Sequence, residues 1–225
     1  MSAYTRALYD SVLQCAREGG TSTRTRLIEV GCGDGALMGV LYGSLSVSVV
    51  GVDTNEKGLN LARRMFEARG FAGEFRQIDG YGTGFADASF DVVVCSDVIE
   101  HVDNPLAMLR EIRRVMVPGG RLIITTPIKF SEKPIDPMHV QEWFVVDFVN
   151  LCREVFGEPL KAIQSHPVLW YELVSSGNRW IARTGRLLTN LLTKLGSNPL
   201  MKCDGAWRCY TTQTLVLMKQ PPLIR

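Results

Sequence analysis

The sequence has no Cys-x-x-Cys pair, no long apolar run and almost no net charge, and each absence removes a class of protein. Six cysteines, Cys15, Cys32, Cys95, Cys152, Cys203 and Cys209, are scattered through 225 residues. Without paired spacing they frame neither a zinc site nor a disulfide scaffold, and several sit inside apolar stretches, as reduced core thiols do. No segment reaches the roughly 20 apolar residues of a membrane span. The first residues, MSAYTRALYD, lack the basic-then-apolar order of a secretory signal. Together these features read as a cytoplasmic protein. A formal net charge of +2 argues against a broad nucleic-acid-binding surface. At 46% hydrophobic and 21% charged, the chain is of ordinary globular composition, and residues 1–225 read as one α/β domain with its own core.

What is present is an alternation of apolar runs and amphipathic stretches. RLIEV, VSVVGVD, GEFRQID, FDVVVCS and RLIITTP read as five strands. Tyr4, Leu8, Val12 and Cys15 fit a leading helix. ALMGVLYG is a short helix, and EKGLNLARRMFEARG places Leu59, Ala62, Met65 and Phe66 on one side. In NPLAMLREIRRVMVPGG, Asp103 or Asn104 caps a helix, Pro105 suits its first position, and Pro118-Gly119-Gly120 is expected to stop it. PLKAIQSH reads as a sixth strand, and YTTQTLVLMK alternates as an edge strand does. Between these last two, residues 168–206 form a helical insertion. Unbroken Val/Ile/Leu strands alternating with helices imply a mostly parallel sheet covered on both faces.

EVGCGDG follows the first strand, with glycines at 31, 33 and 35. Glycine lets the backbone turn sharply and approach a ligand closely. The second strand ends in Asp53, about 20 residues on, where a carboxylate can accept both hydroxyls of a ribose. The third ends in Asp79, placed to meet an adenine amino group. A dinucleotide fingerprint would read G-x-G-x-x-G; here the third glycine comes one residue early, and Glu29 and Asp34 flank the loop. Carboxylates repel a pyrophosphate and suit a ligand bearing a sulfonium and an ammonium, which points to S-adenosylmethionine.

With EVGCGDG, VVGVDTN, RQIDG, FADASFDVVVCSDVIEHVDNP and EIRRVMVPGGRLIITTP, the chain resembles the class I S-adenosylmethionine-dependent methyltransferases from about residue 26 to 157. The resemblance implies a Rossmann-like seven-stranded sheet, mostly parallel, with helices on both faces and an antiparallel last strand. It also implies that Gly31, Gly33 and Gly35 shape the cofactor loop, that Glu29 faces the methionyl end, that Asp53 holds the ribose and Asp79 the adenine, and that the Ser96 region meets the amino acid part. SDVI stands where DNA-amino methyltransferases carry Asn/Asp-Pro-Pro-aromatic, so that subgroup is not implied.

The acceptor is less legible. Asp97, Glu100 and His101 fall within five positions. Asp97-x-x-Glu100 has the spacing of a helix capping box. Alternatively His101, joined by His139 in DPMHVQEWF, serves as the catalytic acid/base pair, since an imidazole titrates near neutral pH. As a third reading, Asp97, Glu100, His101 and His139 hold Mg²⁺, Mn²⁺ or Fe²⁺. DVIEH and HVQEW partly resemble the small-RNA 3′-end 2′-O-methyltransferases, although Asp97 stands for Glu and Ile128 for the Asn expected after TTP. The favoured reading needs no metal. His166 reads as structural, and Trp170 and Tyr171 as possible walls of an acceptor pocket.

From Leu173 to Cys203 there is no acidic residue, whereas Arg179, Arg183, Arg186, Lys194 and Lys202 give a formal +5. Trp180, Ile181, Leu187, Leu188, Leu191, Leu192 and Leu195 supply an apolar side. Such a helix either covers the core or touches an anionic membrane, a lipid-linked substrate or RNA phosphates. The expected function is methyl transfer to a small-molecule acceptor, at oxygen, on a sugar, polyketide-like or lipid-linked metabolite. The rivals are a metal-dependent RNA 3′-end 2′-O-methyltransferase and a catalytically silent partner subunit that binds the cofactor. Nothing in the sequence specifies an oligomeric state.

Overall fold

A computed structural model of the chain describes residues 1–129, 136–201 and 210–221. Its elements are α1 (Ala3–Glu18), β1 (Arg26–Val30), α2 (Ala36–Ser44), β2 (Ser48–Asp53), α3 (Glu56–Ala68), β3 (Glu74–Gln77), β4 (Phe90–Ser96), α4 (Pro105–Val115), β5 (Met116–Pro127), α5 (Val145–Phe156), β6 (Lys161–Pro167), α6 (Val168–Ser175), α7 (Arg179–Lys194) and β7 (Tyr210–Met218). The strands form one sheet in the order β3-β2-β1-β4-β5-β7-β6, with β7 antiparallel to both of its neighbours and the other pairs parallel.

Alternate residues of the apolar strands feed two cores. Ile28, Val93 and Ile124 face α4 and α5, where they meet Leu109, Ile112, Phe148 and Cys152. Leu27, Val92, Val94 and Ile123 face α1, α2 and α3, where they meet Val12, Met38, Leu41 and Leu59. Both strand faces are dry, so continuous Val/Ile/Leu runs are required. Each fully buried large aliphatic contributes about 1.5–3 kcal/mol. The connections run in opposite directions on either side of the β1/β4 pair, which opens a crevice at the carboxyl ends of the strands.

Two expectations are corrected. β7 is not an edge strand: it lies between β5 and β6, and every residue from Tyr210 to Leu217 is buried. Three of its polar residues turn to internal partners instead of water, while the Tyr210 hydroxyl, Gln213 Oε1 and the Thr214 hydroxyl are buried without a hydrogen-bond partner among the described residues. Thr211 donates to the His166 carbonyl (3.1 Å), Thr212 meets the Tyr4 hydroxyl (3.3 Å), and the Gln213 amide donates to the Trp143 carbonyl (3.3 Å). Nor does Pro118-Gly119-Gly120 stop α4. That helix ends at Val115, because Met116 is already extended (φ −72°, ψ 140°). The three residues form a bulge inside β5, where the register to β4 shifts between Phe90 and Val92. Gly119, at φ +80°, turns its N–H to the Lys219 carbonyl at 2.8 Å. Of the two candidate caps for α4, Asn104 is used, accepting from the Ala107 N–H at 3.0 Å.

In the 168–206 stretch, α7 is capped by Asn178, whose side chain accepts from the Trp180 and Ile181 N–H groups. Lys202, Cys203, Trp207 and Cys209 lie outside the described residues. Cys32, Cys95 and Cys152 are buried free thiols, and Cys15 is buried as well. Among the described residues no helix is long and apolar enough to cross a membrane.

Candidate active site

The glycine loop closes the crevice on one side. Gly31, Gly33 and Gly35 have φ of +76°, +51° and +73°, a region that β-carbon sterics make costly for other residues. At Gly31 there is no room either: a β-carbon would sit 2.3 Å from the Val98 side chain. The Gly31 and Cys32 N–H groups donate to the Val52 carbonyl (2.8 and 3.0 Å), which ties the loop to the end of β2. Asp53 completes the tie, accepting from the Gly33 N–H (2.7 Å) and the Asn55 N–H (2.8 Å).

Beneath this loop Glu29 is 4% exposed. Its carboxyl is held well above the usual range, first by burial and then by the field of Asp34, with a bond from the Met38 backbone pulling the other way and Asp53 adding to the rise. One oxygen, Oε2, is buried without a hydrogen-bond partner. An orphaned acidic oxygen in an acid-rich crevice fits a ligand that brings positive charge, as S-adenosylmethionine does with its sulfonium and ammonium. The crevice opens as a cavity of about 440 Å³ lined by Gly31, Asp53, Ile78, Gly80, Asp97 and His101, among others. Asp79 itself is exposed and bridges to Gly82, while its neighbours Ile78 and Gly80 line the cavity. Ser96 stands behind the wall, with its hydroxyl 2.9 Å from that of Thr125.

The segment after β4 makes the other wall. Asp97 has φ +51°, which reverses the chain at the strand end. Its N–H donates to the Thr125 carbonyl (3.1 Å), and its carboxylate accepts from the Thr125 hydroxyl (2.9 Å). Glu100 is fully buried and accepts from the Thr126 hydroxyl at 3.0 Å. The expected capping box is therefore absent. The single turn Ile99–His101 has no side-chain cap, because the reversal at Asp97 commits both carboxylates to threonines of β5.

The loop carrying His139 docks on this turn. The Val140 and Gln141 N–H groups donate to the Glu100 carbonyl (2.9 and 3.2 Å), and the Gln141 amide donates to the Val102 carbonyl (2.8 Å). The two imidazoles are thereby set 5.0 Å apart at 69°. His101 Nδ1 lies 3.2 Å from the Met138 carbonyl oxygen, a contact that only an Nδ1–H can make. His139 Nδ1 lies 2.6 Å from Glu142 Oε1 and donates to it. Both rings thus leave Nε2 as an acceptor. Glu142 is a functional candidate that sequence reading passed over; the signal was its i, i+3 spacing from His139 within HVQEW.

A second cavity, about 260 Å³, opens behind these histidines and is lined by Tyr4, Glu100, His139, Asp136, Tyr171 and others. Asp97 and His101 line both cavities. Burial raises the Asp97 carboxyl, opposed by the Thr125 bond and the two imidazoles. Burial raises Glu100 to about 8, with Asp97 adding to the rise. Tyr4 is pushed up to about 12 by burial and then by Asp97, so its phenol is a donor and not a base. Of the two aromatics expected at an acceptor pocket, Tyr171 lines this smaller cavity, whereas Trp170 packs with Ala3, Ala7 and Leu200. Glu100, His101 and His139 each offer one ligand atom, all within 4.8 Å of one another. Asp97 is not one of this group. A larger surface cleft, about 700 Å³, lies between Thr23, Tyr42 and Val47, away from these carboxylates and imidazoles.

His166, by contrast, is fully buried and structural. Its Nδ1 lies 2.9 Å from the Ser165 hydroxyl, and its Nε2–H donates to the Tyr4 carbonyl at 3.1 Å.

Comparison with known proteins agrees with this geometry. The methyltransferase-domain family matches residues 28–124, which run from β1 into β5. A ubiquinone biosynthesis O-methyltransferase of Ruegeria pomeroyi is 37% identical over 168 residues, covering 67% of each chain. One from Cereibacter sphaeroides is 31% identical over 186 residues, covering 75% of this chain and 72% of the relative. The chain spans about two thirds of the length of the curated relatives it matches. A geranyl diphosphate methyltransferase solved with S-adenosylmethionine superposes with a TM-score of 0.69 over 94% of this chain and 84% of the other, at 13% identity, which is likeness of fold. The glycine loop, the acidic crevice and the matched sequence agree: the chain belongs to the class I S-adenosylmethionine-dependent methyltransferases.

Proposed function

We propose that the chain transfers the methyl group of S-adenosylmethionine to a hydroxyl oxygen of a small molecule held in the smaller cavity. The observation that carries this is the shared wall: His101 and Asp97 line both the cofactor cavity and the cavity behind it. The family's cofactor supplies a methyl group already on a good leaving group. This chain's residues must align the acceptor oxygen, exclude water and remove a proton. Gly31, Gly33, Gly35, Asp53 and Glu29 hold the cofactor, with Asp79 and Ser96 at the adenine and amino acid ends. His101 Nε2 takes the hydroxyl proton, its tautomer being set by the Met138 carbonyl. His139, oriented by Glu142, holds the same hydroxyl from the other side. Tyr4 and Tyr171, with ring centroids 5.9 Å apart, make an aromatic wall suited to a flat acceptor. The relatives' names place O-methylation of a small molecule among proteins of this sequence type.

A second reading rests on the donor set of Glu100, His101 and His139. Mixed carboxylate and imidazole donors suit Mg²⁺, Mn²⁺ or Fe²⁺, and such an ion would lower the acceptor hydroxyl's pKa. The RNA reading leans on the same donors and has no further support, and the silent-subunit reading requires that no acceptor be methylated.

The deciding experiment offers methyl-labelled cofactor with a panel of phenols, catechols and sugars, each paired with its O-methylated analogue. Label is expected on oxygen, absent from the blocked analogues, and reduced about 10²–10⁴-fold in kcat by His101→Gln. Label on nitrogen or carbon, or an unchanged kcat, would sink the proposal.

A further inference from the structure

Helix α7 is oriented the wrong way round for a helix that only covers a core. Its buried residues are small: Ala182, Gly185 and Thr189. A β-carbon at Gly185 would lie 2.5 Å from the Leu173 carbonyl oxygen, so this face is pressed against α6. On the side of α1, the Ala3 N–H donates to the Asn190 side chain at 2.9 Å. The large apolar residues are on the opposite side. At about 100° per residue, Trp180, Leu187, Leu191 and Leu195 fall on one line, with Ile181 and Leu188 beside it. They are 74%, 63%, 54% and 74% exposed along that line. Leaving such a row in water is unfavourable, and a contiguous patch of this kind marks an interaction surface.

The charges identify the partner. Arg179, Arg183, Arg186 and Lys194 flank the stripe on one side, all exposed, and there is no acid from Leu173 to Cys203. Arg186 also donates to the Val174 carbonyl (3.2 Å). An apolar stripe with a one-sided cationic border is the pattern of a helix that lies in the plane of an anionic bilayer, its Leu and Trp side chains among the acyl chains and its Arg and Lys side chains at the headgroups. RNA would use the cations but leave the leucines wet. A second copy would set like charges against each other.

We infer that α7 docks the protein on an anionic membrane surface. The docked face adjoins the acceptor cavity: α7 rests on α1 and α6, which contribute Tyr4 and Tyr171 to that cavity.

The test is co-sedimentation of the full chain with sucrose-loaded vesicles, of phosphatidylcholine alone and with phosphatidylglycerol at about 30 mol%, a composition chosen for its surface charge. The protein is expected to pellet with the anionic vesicles only, and less so as salt rises. Leu187→Glu/Leu191→Glu should abolish pelleting. Arg179→Ala/Arg183→Ala should lower partitioning about 30-fold, the effect of two cations at about 1 kcal/mol each. S-adenosylmethionine binding, unchanged in both variants, confirms that they fold. Three results would overturn the inference. They are no preference for anionic over neutral vesicles, pelleting indifferent to both variants, and a dimer that dissociates in the leucine variant. Tight RNA binding lost in the arginine variant, with no vesicle binding, would overturn it as well. None of these outcomes touches the methyl-transfer reading.

Discussion

His166 provides a quantitative test of how the amino-terminal helix is held over the smaller cavity. The ring is fully buried, its Nε2–H bonded to the Tyr4 carbonyl and its Nδ1 accepting from Ser165. The Tyr4 ring packs on it with centroids 4.3 Å apart. Burial depresses the imidazole to about 4, against about 6.5 in an unfolded chain, with the Tyr4 bond opposing. The sign follows from proton counts. Between pH 6.5 and 4 the unfolded state carries the proton and the folded state does not, so stability falls as the solution is acidified. Integrating between those values gives a loss of about 2.5 kcal/mol on going from pH 7.5 to 4.5. Other groups titrate in the same range; Glu29, Asp97 and Glu100 are shifted upward and act in the opposite sense. The informative quantity is therefore a difference. Asn tolerates the φ of +61° at this position and removes the titration. Denaturant unfolding of wild type and His166→Asn from pH 4.5 to 8.5 should give a stability difference that is constant above about pH 7.5. That difference should shrink by about 2.5 kcal/mol at pH 4.5. If it is flat across the range, the ring is not held neutral by burial, and the account of α1 is wrong.

Three further outcomes are expected. Asp53→Ala removes the acceptor for two backbone N–H groups and should weaken S-adenosylmethionine binding about 10–100-fold by calorimetry; unchanged affinity would remove Asp53 from the cofactor site. Glu100→Gln should change the pH profile of stability. The wild-type carboxyl favours the fold fully below about pH 4.5 and loses that advantage as pH rises through about 8, so the wild type should fall relative to the variant across that window. A parallel pair of curves would mean that Glu100 is not buried neutral. Turnover should persist after exhaustive chelation; loss that Mg²⁺ or Mn²⁺ restores would recast His101 and His139 as ligands instead of base and positioning groups.

The parts legible in the sequence are those where one requirement excludes alternatives. Strands buried on both faces must be continuously apolar, so VSVVGVD and FDVVVCS could be placed without a structure. The loop at Gly31, Gly33 and Gly35 demands left-handed backbone, and only glycine meets that demand without strain. The misplaced parts are those where one pattern serves two environments. Polar–apolar alternation ordinarily marks a half-wet strand, yet Thr211, Thr212 and Gln213 of β7 find partners inside the protein. Asp97-x-x-Glu100 has cap spacing, yet a single residue at φ +51° sends both acids to β5. No local pattern announces such a reversal, because Asp97 is fixed there by Thr125, a distant residue in sequence.

The same reasoning explains why the two histidines, whose rings lie 5.0 Å apart, could be singled out in the sequence while the groups that hold them could not. His101 and His139 carry chemistry-bearing rings, so they are visible in any reading. The tautomer of each depends on what holds Nδ1: a carbonyl at Met138 for one and the Glu142 carboxylate for the other. The first of these is backbone and has no sequence signature at all. The second has the i, i+3 spacing of a surface helix pair but lies in a loop and is buried, with the Glu142 side chain 1% exposed. A carboxylate so placed fixes the His139 tautomer and leaves Nε2 as the acceptor, and it does so whether that nitrogen meets a proton or a metal ion. The contrast between the rings is testable within the site. Glu142→Gln keeps a hydrogen bond but removes the charge, so it should depress turnover through His139 while leaving cofactor affinity intact. The Met138 carbonyl cannot be changed that way, so the His101 ring has no equivalent side-chain test.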